Sequence, residues 1–338
     1  MPQADDTQAQ SIMAGVRRVA PHLLQRVQQG LSNLELIHTP HSTWPLPHGN
    51  HVQQYNPRRP LRVSILDSSF NPPTLAHLAL ANSCRVEGDS FYRTGEPKEL
   101  SAPAYDAKLL LLSVKNADKT LKPGDASYLQ RLVMMSLLIN DLKPDSGDLP
   151  ITTPDSSNLT PGQLANVAIA IIDEPTFVGK SEAFRAFLKH RFCQPQFTQQ
   201  DIAIDSVELS FLVGLDTLER LFSPRYYPSE TDMMSKLHKF LSPSPEGDNA
   251  RIVSARRTMT QSDIIQPKDN SLERAKPFME AGRIAVIDIG RDISTYSSTT
   301  VRRSLNSVGL SGDSVWRKLV TKSVADYILE NELYQAGP

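Results

Sequence analysis

Three stretches of this chain carry residue types that can hold and polarise an anion. The first is Leu66-Asp67-Ser68-Ser69-Phe70-Asn71-Pro72-Pro73-Thr74-Leu75-Ala76-His77-Leu78. An apolar strand runs into a stiff loop, the prolines forbid helix until about Thr74, and a helix then begins. A helix start offers unpaired N–H groups and partial positive charge, and Thr74 and His77, three residues apart, share the face beside it. The second is Phe211-Leu212-Val213-Gly214-Leu215-Asp216-Thr217-Leu218. Here a strand again meets a helix, with Gly214 allowing close backbone approach and Asp216 placed to accept from sugar hydroxyls. The third is Ile293-Ser294-Thr295-Tyr296-Ser297-Ser298-Thr299-Thr300-Val301-Arg302. Ser297 and Ser298 suit a helix N-cap, and Arg302 falls one turn later on the same face, so hydroxyls, free N–H groups and a guanidinium converge. Taken singly, each stretch reads equally well as a capped surface helix. In sequence, at the ends of apolar strands, they read as one nucleotide phosphate site.

Positioning them requires a sheet. Five short runs dense in Val, Ile and Leu (Arg62–Asp67, Val167–Asp173, Val207–Gly214, Arg251–Ala255 and Ile284–Ile289) are of the kind buried on both faces of a parallel sheet. Helical patterns lie between and after them: Leu75–Arg85, Ser127–Asn140, Ser181–Phe192, Thr217–Phe222, Met233–Leu241 and Val315–Asn331. Strands alternating with helices predict right-handed crossovers and an open, doubly wound α/β sheet, whose ligands lie beyond the carboxyl ends of the strands. The first 60 residues are expected to stand apart. Ile12, Met13, Val16, Val19, Leu23, Val27, Leu31 and Leu34 recur at helical spacing, interrupted by Pro21, which predicts a helical arm of one or two segments. From His38 to His51 the chain is rich in Pro and His and reads as a linker. Its His38-x2-His41 and His48-x2-His51 pairs have metal-like spacing but no cysteine partner or fixed scaffold. Residues 61–338 then form the main domain, with loop insertions expected near 87–104, 144–161, 242–249 and 259–277.

Composition narrows the classes. The 338 residues carry 36 Lys plus Arg against 37 Asp plus Glu, a net charge of −1, which gives no whole-molecule attraction to nucleic acid or anionic membranes. No basic stripe with interleaved aromatics argues for a nucleic-acid partner. No apolar run approaches a membrane span of roughly 18 residues, and no secretory h-region opens the chain. Two cysteines, Cys84 and Cys193, cannot build a disulfide framework and point to a reducing compartment, the cytoplasm or nucleus.

The first stretch resembles the Gly-x-Phe-Asn-Pro-x-Thr-x-x-His motif of the nicotinamide mononucleotide adenylyltransferases, within the nucleotidyltransferase superfamily. Here it reads Ser68-Ser69-Phe70-Asn71-Pro72-Pro73-Thr74-Leu75-Ala76-His77. The second resembles that family's Gly-x-Asp strand–helix junction, and the third its Ile-Ser-Ser-Thr-x-x-Arg motif, carried by Ser297, Ser298, Thr299 and Arg302. The likeness runs from about Leu61 to Tyr334 and is to a divergent eukaryotic, fungal-type member. Two departures stand out. Ser68 replaces a glycine where backbone approaches ligand, so its Cβ is expected to crowd the site, and Thr295-Tyr296 is inserted before the serine pair.

The resemblance implies a Rossmann-like nucleotidyltransferase sheet and the joining of ATP to nicotinamide mononucleotide with release of pyrophosphate. It implies that Ser69, Phe70, Thr74, His77, Gly214, Asp216, Ser297, Ser298, Thr299 and Arg302 bind ATP, His77 and Arg302 being the catalytic pair. By the same resemblance Lys119 or Lys122 is expected to be the phosphate-reaching lysine, Phe177 to lie against the nicotinamide ring, Tyr227 to flank a base, and Arg256 or Arg257 to neutralise the acceptor phosphate. Mg²⁺ is expected to arrive on the ATP phosphates, the ligand type it prefers. A phosphate monoester near neutral pH is already anionic, so positioning and charge stabilisation suffice without a general base. Two competing readings are a related nucleotidyltransferase with another phosphate acceptor, and a nucleotide-binding regulatory or chaperone-like protein with little turnover.

Overall fold

The structure is a computed structural model that describes residues 3–47, 59–84, 105–114, 123–143, 165–197, 202–256, 271–308 and 315–335. Seven strands form one sheet: β1 (Leu34–His38), β2 (Leu61–Asp67), β3 (Ala107–Ser113), β4 (Val167–Ile172), β5 (Val207–Gly214), β6 (Ala250–Ala255) and β7 (Ile284–Ile287). Their order is β1-β4-β3-β2-β5-β6-β7. Every pairing is parallel except the edge pair of β1 with β4. The parallel strands therefore run outward in both directions from β2 and β5, the arrangement of a doubly wound nucleotide-binding sheet, and the direction of winding switches between those two strands. β2 and β5 are in register as Leu66 opposite Leu212, so the loops leaving Asp67 and Gly214 emerge side by side.

Helices cover both faces. On one lie α1 (Gln3–Gln28), α2 (Leu75–Ala81), α3 (Tyr128–Ile139), α8 (Ser298–Val308) and α9 (Lys322–Glu330), with Leu110, Leu112, Ile169 and Ile171 of the sheet beneath them. On the other lie α4 (Phe177–Phe192), α5 (Leu215–Leu221), α6 (Glu230–Leu241) and α7 (Ser271–Glu280), over Leu109, Leu111, Leu209 and Phe211. Alternate residues of β3 and β5 thus enter opposite layers, as the period of two demands. This explains why both faces of β3 and β5 carry apolar residues, with Lys108, Glu208 and Ser210 as buried polar exceptions. The expected α/β doubly wound sheet is the observed one.

Several local expectations are corrected. β3, Ala-Lys-Leu-Leu-Leu-Leu-Ser, is a central strand that was not anticipated, because a leucine run carries no β-branched signal. Leu34 belongs to edge strand β1 and not to the amphipathic helix. The arm is one helix, α1, that accommodates Pro21 internally and buries Val16, Ala20 and Val27. The expected linker is docked where it is described. Trp44 and Leu46 are fully buried, Trp44 Nε1 donates to the Asn166 carbonyl at 3.1 Å, and Arg191 Nε donates to the Trp44 carbonyl at 2.6 Å. Both ring nitrogens of His41 are engaged, by Thr43 Oγ1 at 3.0 Å and Asn166 Oδ1 at 2.9 Å. His48 and His51 lie outside the described residues, as do the expected insertions 87–104 and 144–161. The expected loop 259–277 ends in helix: Ser271 to Pro277 belong to α7. Residues 242–249 are a tight connection, closed by Asp248 N–H to the Lys239 carbonyl at 2.8 Å and Asn249 N–H to the Ser242 carbonyl at 2.9 Å.

Burial pushes the His38 imidazole down to about 4 from its usual 6.5. A histidine that stays neutral in the folded state makes folding oppose proton uptake. Stability is then complete above the unfolded value and declines as pH falls from about 6.5 towards 4, by up to about 1.4 kcal/mol per pH unit. Thermal melts across that window should show the decline for the natural chain and a flatter profile for His38→Gln.

Candidate active site

The loop Ser68–Thr74, leaving the carboxyl end of β2, is the hub of the site. Ser68 N–H continues the ladder to the Leu111 carbonyl at 3.3 Å. Phe70 is fully buried at a φ of 43°, a left-handed conformation uncommon for a bulky residue and held here by its surroundings. Its ring lies 5.4 Å from that of His77. His77 stands on the first turn of α2, where Thr74 N–H donates to Nδ1 at 3.0 Å and the Thr74 hydroxyl lies 2.9 Å from the same nitrogen. Its Nε2 lies 2.8 Å from Ser68 Oγ. The serine that replaces glycine does not crowd the imidazole but hydrogen-bonds to it.

The third stretch packs against the same loop. Ser297 caps α8, its Oγ accepting Thr300 N–H at 3.1 Å, while the Ser298 hydroxyl donates to the Pro72 carbonyl at 2.7 Å. Arg302 Nη1 donates to the Asn71 carbonyl in a short hydrogen bond. Its Nη2 lies 3.5 Å from Thr299 Oγ1. His77 and Arg302, 225 positions apart in the chain by subtraction of their numbers, are therefore fixed to opposite parts of one short loop.

Asp125 joins the parts. It accepts from Asn71 Nδ2 at 2.7 Å, and its carboxylate lies 3.7 Å from Arg302 Nε and 3.6 Å from Arg131 Nη2. Arg131 is itself buried, donates to the Ala126 carbonyl at 2.8 Å and lies 3.4 Å from the Ser69 carbonyl. Its burial lowers the guanidinium's pKa, opposed chiefly by Asp125. Tyr334, near the carboxyl terminus, is buried within the electrostatic reach of Arg131 and Arg302, and burial pushes its hydroxyl far up. Sequence reasoning places none of these three residues at the site, although Tyr334 is expected to be buried at the end of the closing helix. Asp125 sits in Pro123-Gly124-Asp125 ahead of α3 and looks like an ordinary turn residue. Asp125→Asn keeps an acceptor for Asn71 but removes the charge facing both arginines. It is expected to lower stability by about 1 kcal/mol, the upper range for partly exposed pairs, read as a reduced Tm that added salt narrows between the two proteins.

A second polar cluster lies across the carboxyl edge of β2 and β3. Lys180 on α4 pairs with Asp67 in a short contact, both side chains being largely buried, and Ser113 Oγ donates to the other Asp67 oxygen at 3.1 Å. The Phe177 ring lies 4.9 Å from the Lys180 ammonium and edge-on to Phe211. Asp67 and Lys180 are 113 positions apart, a separation that left no signal in the sequence.

The remaining expected site residues are distributed as follows. Gly214 ends β5 in an extended conformation, and a Cβ built there would meet no protein atom within 4 Å. Asp216 is exposed on the first turn of α5. Tyr227 is turned into the protein: its hydroxyl donates to the Leu221 carbonyl at 2.9 Å, and burial with the nearby Asp232 charge pushes it up to about 12. Arg256 follows β6 with its N–H on the Ile287 carbonyl at 2.7 Å. The inserted Thr295 and Tyr296 belong to and follow a short 3₁₀ turn, Ile293–Thr295, ahead of α8. Lys119, Lys122 and Arg257 lie outside the described residues. The structure thus brings Ser69, Phe70, Thr74, His77, Ser298, Thr299 and Arg302 to one place, with Gly214 and Asp216 leaving the neighbouring strand.

The fold is a doubly wound, Rossmann-like sheet, with the Ser68–Thr74 loop and the start of α8 meeting at the switch between β2 and β5, where ligands of such sheets lie. Over 268 residues the chain is 27% identical to a Schizosaccharomyces pombe protein described as "Putative nicotinamide mononucleotide adenylyltransferase", which covers 79% of this chain and 83% of that one. The chain is thus similar to a protein described as a nicotinamide mononucleotide adenylyltransferase, at the distance of a divergent relative. No family model matches it. Among solved structures it is similar to Plasmodium falciparum nicotinic acid mononucleotide adenylyltransferase complexed with APC, at a TM-score of 0.43 and 13% identity over 81% of this chain and 96% of the other. The complex of that enzyme with NaAD gives 0.41 and 15%, over 81% and 97%. Among the described residues, no helix is long and apolar enough to cross a membrane.

Proposed function

We infer that the protein joins ATP to nicotinamide mononucleotide, forming NAD and pyrophosphate. The observation that carries this reading is the attachment of His77 and Arg302 to a single loop at the sheet's switch point. The phosphate oxygen of the mononucleotide attacks the α-phosphorus of ATP in line, a new P–O bond forms, and the bond to the β-phosphate oxygen breaks. Negative charge grows on the oxygens of the transferred group and the leaving pyrophosphate. Donors fixed before the reaction stabilise that charge most effectively, because they do not reorganise as it develops.

Each expected residue among those described has a part in this scheme. His77 Nε2 and the guanidinium of Arg302, with five N–H donors, face the triphosphate. Ser69, Phe70 and Thr74 supply the loop, Ser297, Ser298 and Thr299 the start of α8. Gly214 needs neither its backbone freedom nor its lack of side chain for packing, which leaves room for a ligand as the use of glycine there, and Asp216 beside it accepts from ribose hydroxyls. Phe177 offers a ring edge at the mouth for a base, and Arg256 a charge for the acceptor phosphate. Tyr227, with its hydroxyl already bonded, contributes ring surface only. Mg²⁺ would be brought by ATP and held mainly by phosphate oxygens and water. The donor set fits that role, since Asp67 and Asp125 each already face cationic side chains. Bound Mg²⁺ would neutralise phosphate charge.

The test is incubation of purified protein with ATP, Mg²⁺ and nicotinamide mononucleotide, with parallel reactions containing nicotinic acid mononucleotide or CTP. Dinucleotide and pyrophosphate in equal amounts with the nicotinamide acceptor are expected. Nucleotide binding without product would instead make the protein a nucleotide-binding regulator.

A further inference from the structure

We propose that Ser68 is a positioning residue for His77, holding the imidazole as the tautomer whose proton sits on Nε2 and placing its own hydroxyl in the line of donors that meets the anion. This rests on the reading of the site given above. A backbone N–H can only donate, so the 3.0 Å contact from Thr74 N–H makes Nδ1 an acceptor. The neutral ring then carries its proton on Nε2, and the atom facing that proton at 2.8 Å is Ser68 Oγ. The serine oxygen accepts from Nε2, which fixes the ring so that the Nε2 proton can be shared with an arriving anion, and leaves the serine O–H proton to donate onward. A phosphoryl oxygen arriving at the loop would meet a hydroxyl and an imidazole already bonded to each other.

The arrangement is specific to this pair. Phe70, tilted beside the ring, and Thr74 at Nδ1 restrain His77 from two sides, and Ser68 restrains the third. Ser68 itself is fixed through its N–H on the Leu111 carbonyl at the end of the β2–β3 ladder. A glycine at position 68 would leave Nε2 without that partner. The departure at this position therefore replaces freedom of the backbone with control of the ring.

The experiment compares the natural protein with Ser68→Ala, Ser68→Gly and Ser68→Thr, using ¹⁵N-resolved NMR of the His77 ring and steady-state kinetics. The natural protein is expected to show an unprotonated Nδ1 and a protonated Nε2 at neutral pH. Ser68→Ala and Ser68→Gly should give averaged ring signals and a kcat reduced by about five- to tenfold, the worth of one hydrogen bond. Their KM for ATP should change by less than about twofold, the pattern of an interaction felt mainly in the transition state, and Ser68→Thr should restore both readouts. Unchanged ring signals in both the alanine and glycine variants would overturn the proposal, as would a protonated Nδ1 in the natural protein. If the natural protein makes no dinucleotide, the reading of its function fails, while the NMR comparison still decides what Ser68 does to His77.

Discussion

His77→Ala is expected to lower kcat for NAD formation at least about a hundredfold, the loss typical of one preorganised donor to a developing oxyanion. The imidazole is held by the tilted Phe70 ring beside it, Thr74 at Nδ1 and Ser68 at Nε2, so little of its orientation remains to be fixed when substrate binds. An interaction prepared in this way lowers kcat and kcat/KM together when lost, leaving KM for ATP nearly unchanged. The side chain is only partly buried, so the variant should fold, and a circular-dichroism melt near that of the natural protein checks this. His77→Gln, which keeps an N–H at similar reach, should recover part of the activity. Steady-state rates equal to those of the natural protein would remove His77 from the mechanism.

Arg302→Ala is expected to cost more, about a hundred- to a thousandfold in kcat/KM, because the guanidinium does two things. It supplies positive charge at the start of α8, and it ties that helix to the first loop through the Asn71 carbonyl. Losing it also leaves Asp125 facing Arg131 alone among the two guanidiniums that now flank it. Both KM for ATP and kcat should therefore move, unlike the His77 case. Arg302→Lys retains the charge but not the planar fork that reaches Asn71 and Asp125 together, and should recover only a fraction of the loss. Full activity in the lysine variant would reduce the role to charge alone, and full activity in the alanine variant would refute it.

Much of the architecture is written in local patterns. The Val and Ile runs of β2, β4, β5 and β6 mark buried strands, and the Pro72-Pro73-Thr74 break fixes where α2 begins. β3 stayed hidden because leucine serves helix and strand alike, and only its neighbours β2 and β4 select the extended form. β1 was absorbed into a helical repeat because Leu34 falls at helical spacing from Leu31, although Asn33 and Ser32 interrupt it. The strap around Trp44 looked like a linker for a related reason. Its prolines describe only the local chain, while its binding site on Asn166 and Arg191 lies more than a hundred positions away.

The amino-acid order alone determined the three strand–loop–helix stretches, their succession and the places of His77 and Arg302 near the starts of their helices, because each depends on contacts within a few residues. Folding in three dimensions decided everything that joins distant segments: the Asp125 clasp, the Asp67–Lys180 pair, the inward turn of Tyr227 and the bond from Ser68 to His77. A local pattern constrains backbone conformation. The partner of a buried polar group is set by how the layers close upon one another, and no spacing along the chain encodes that distance.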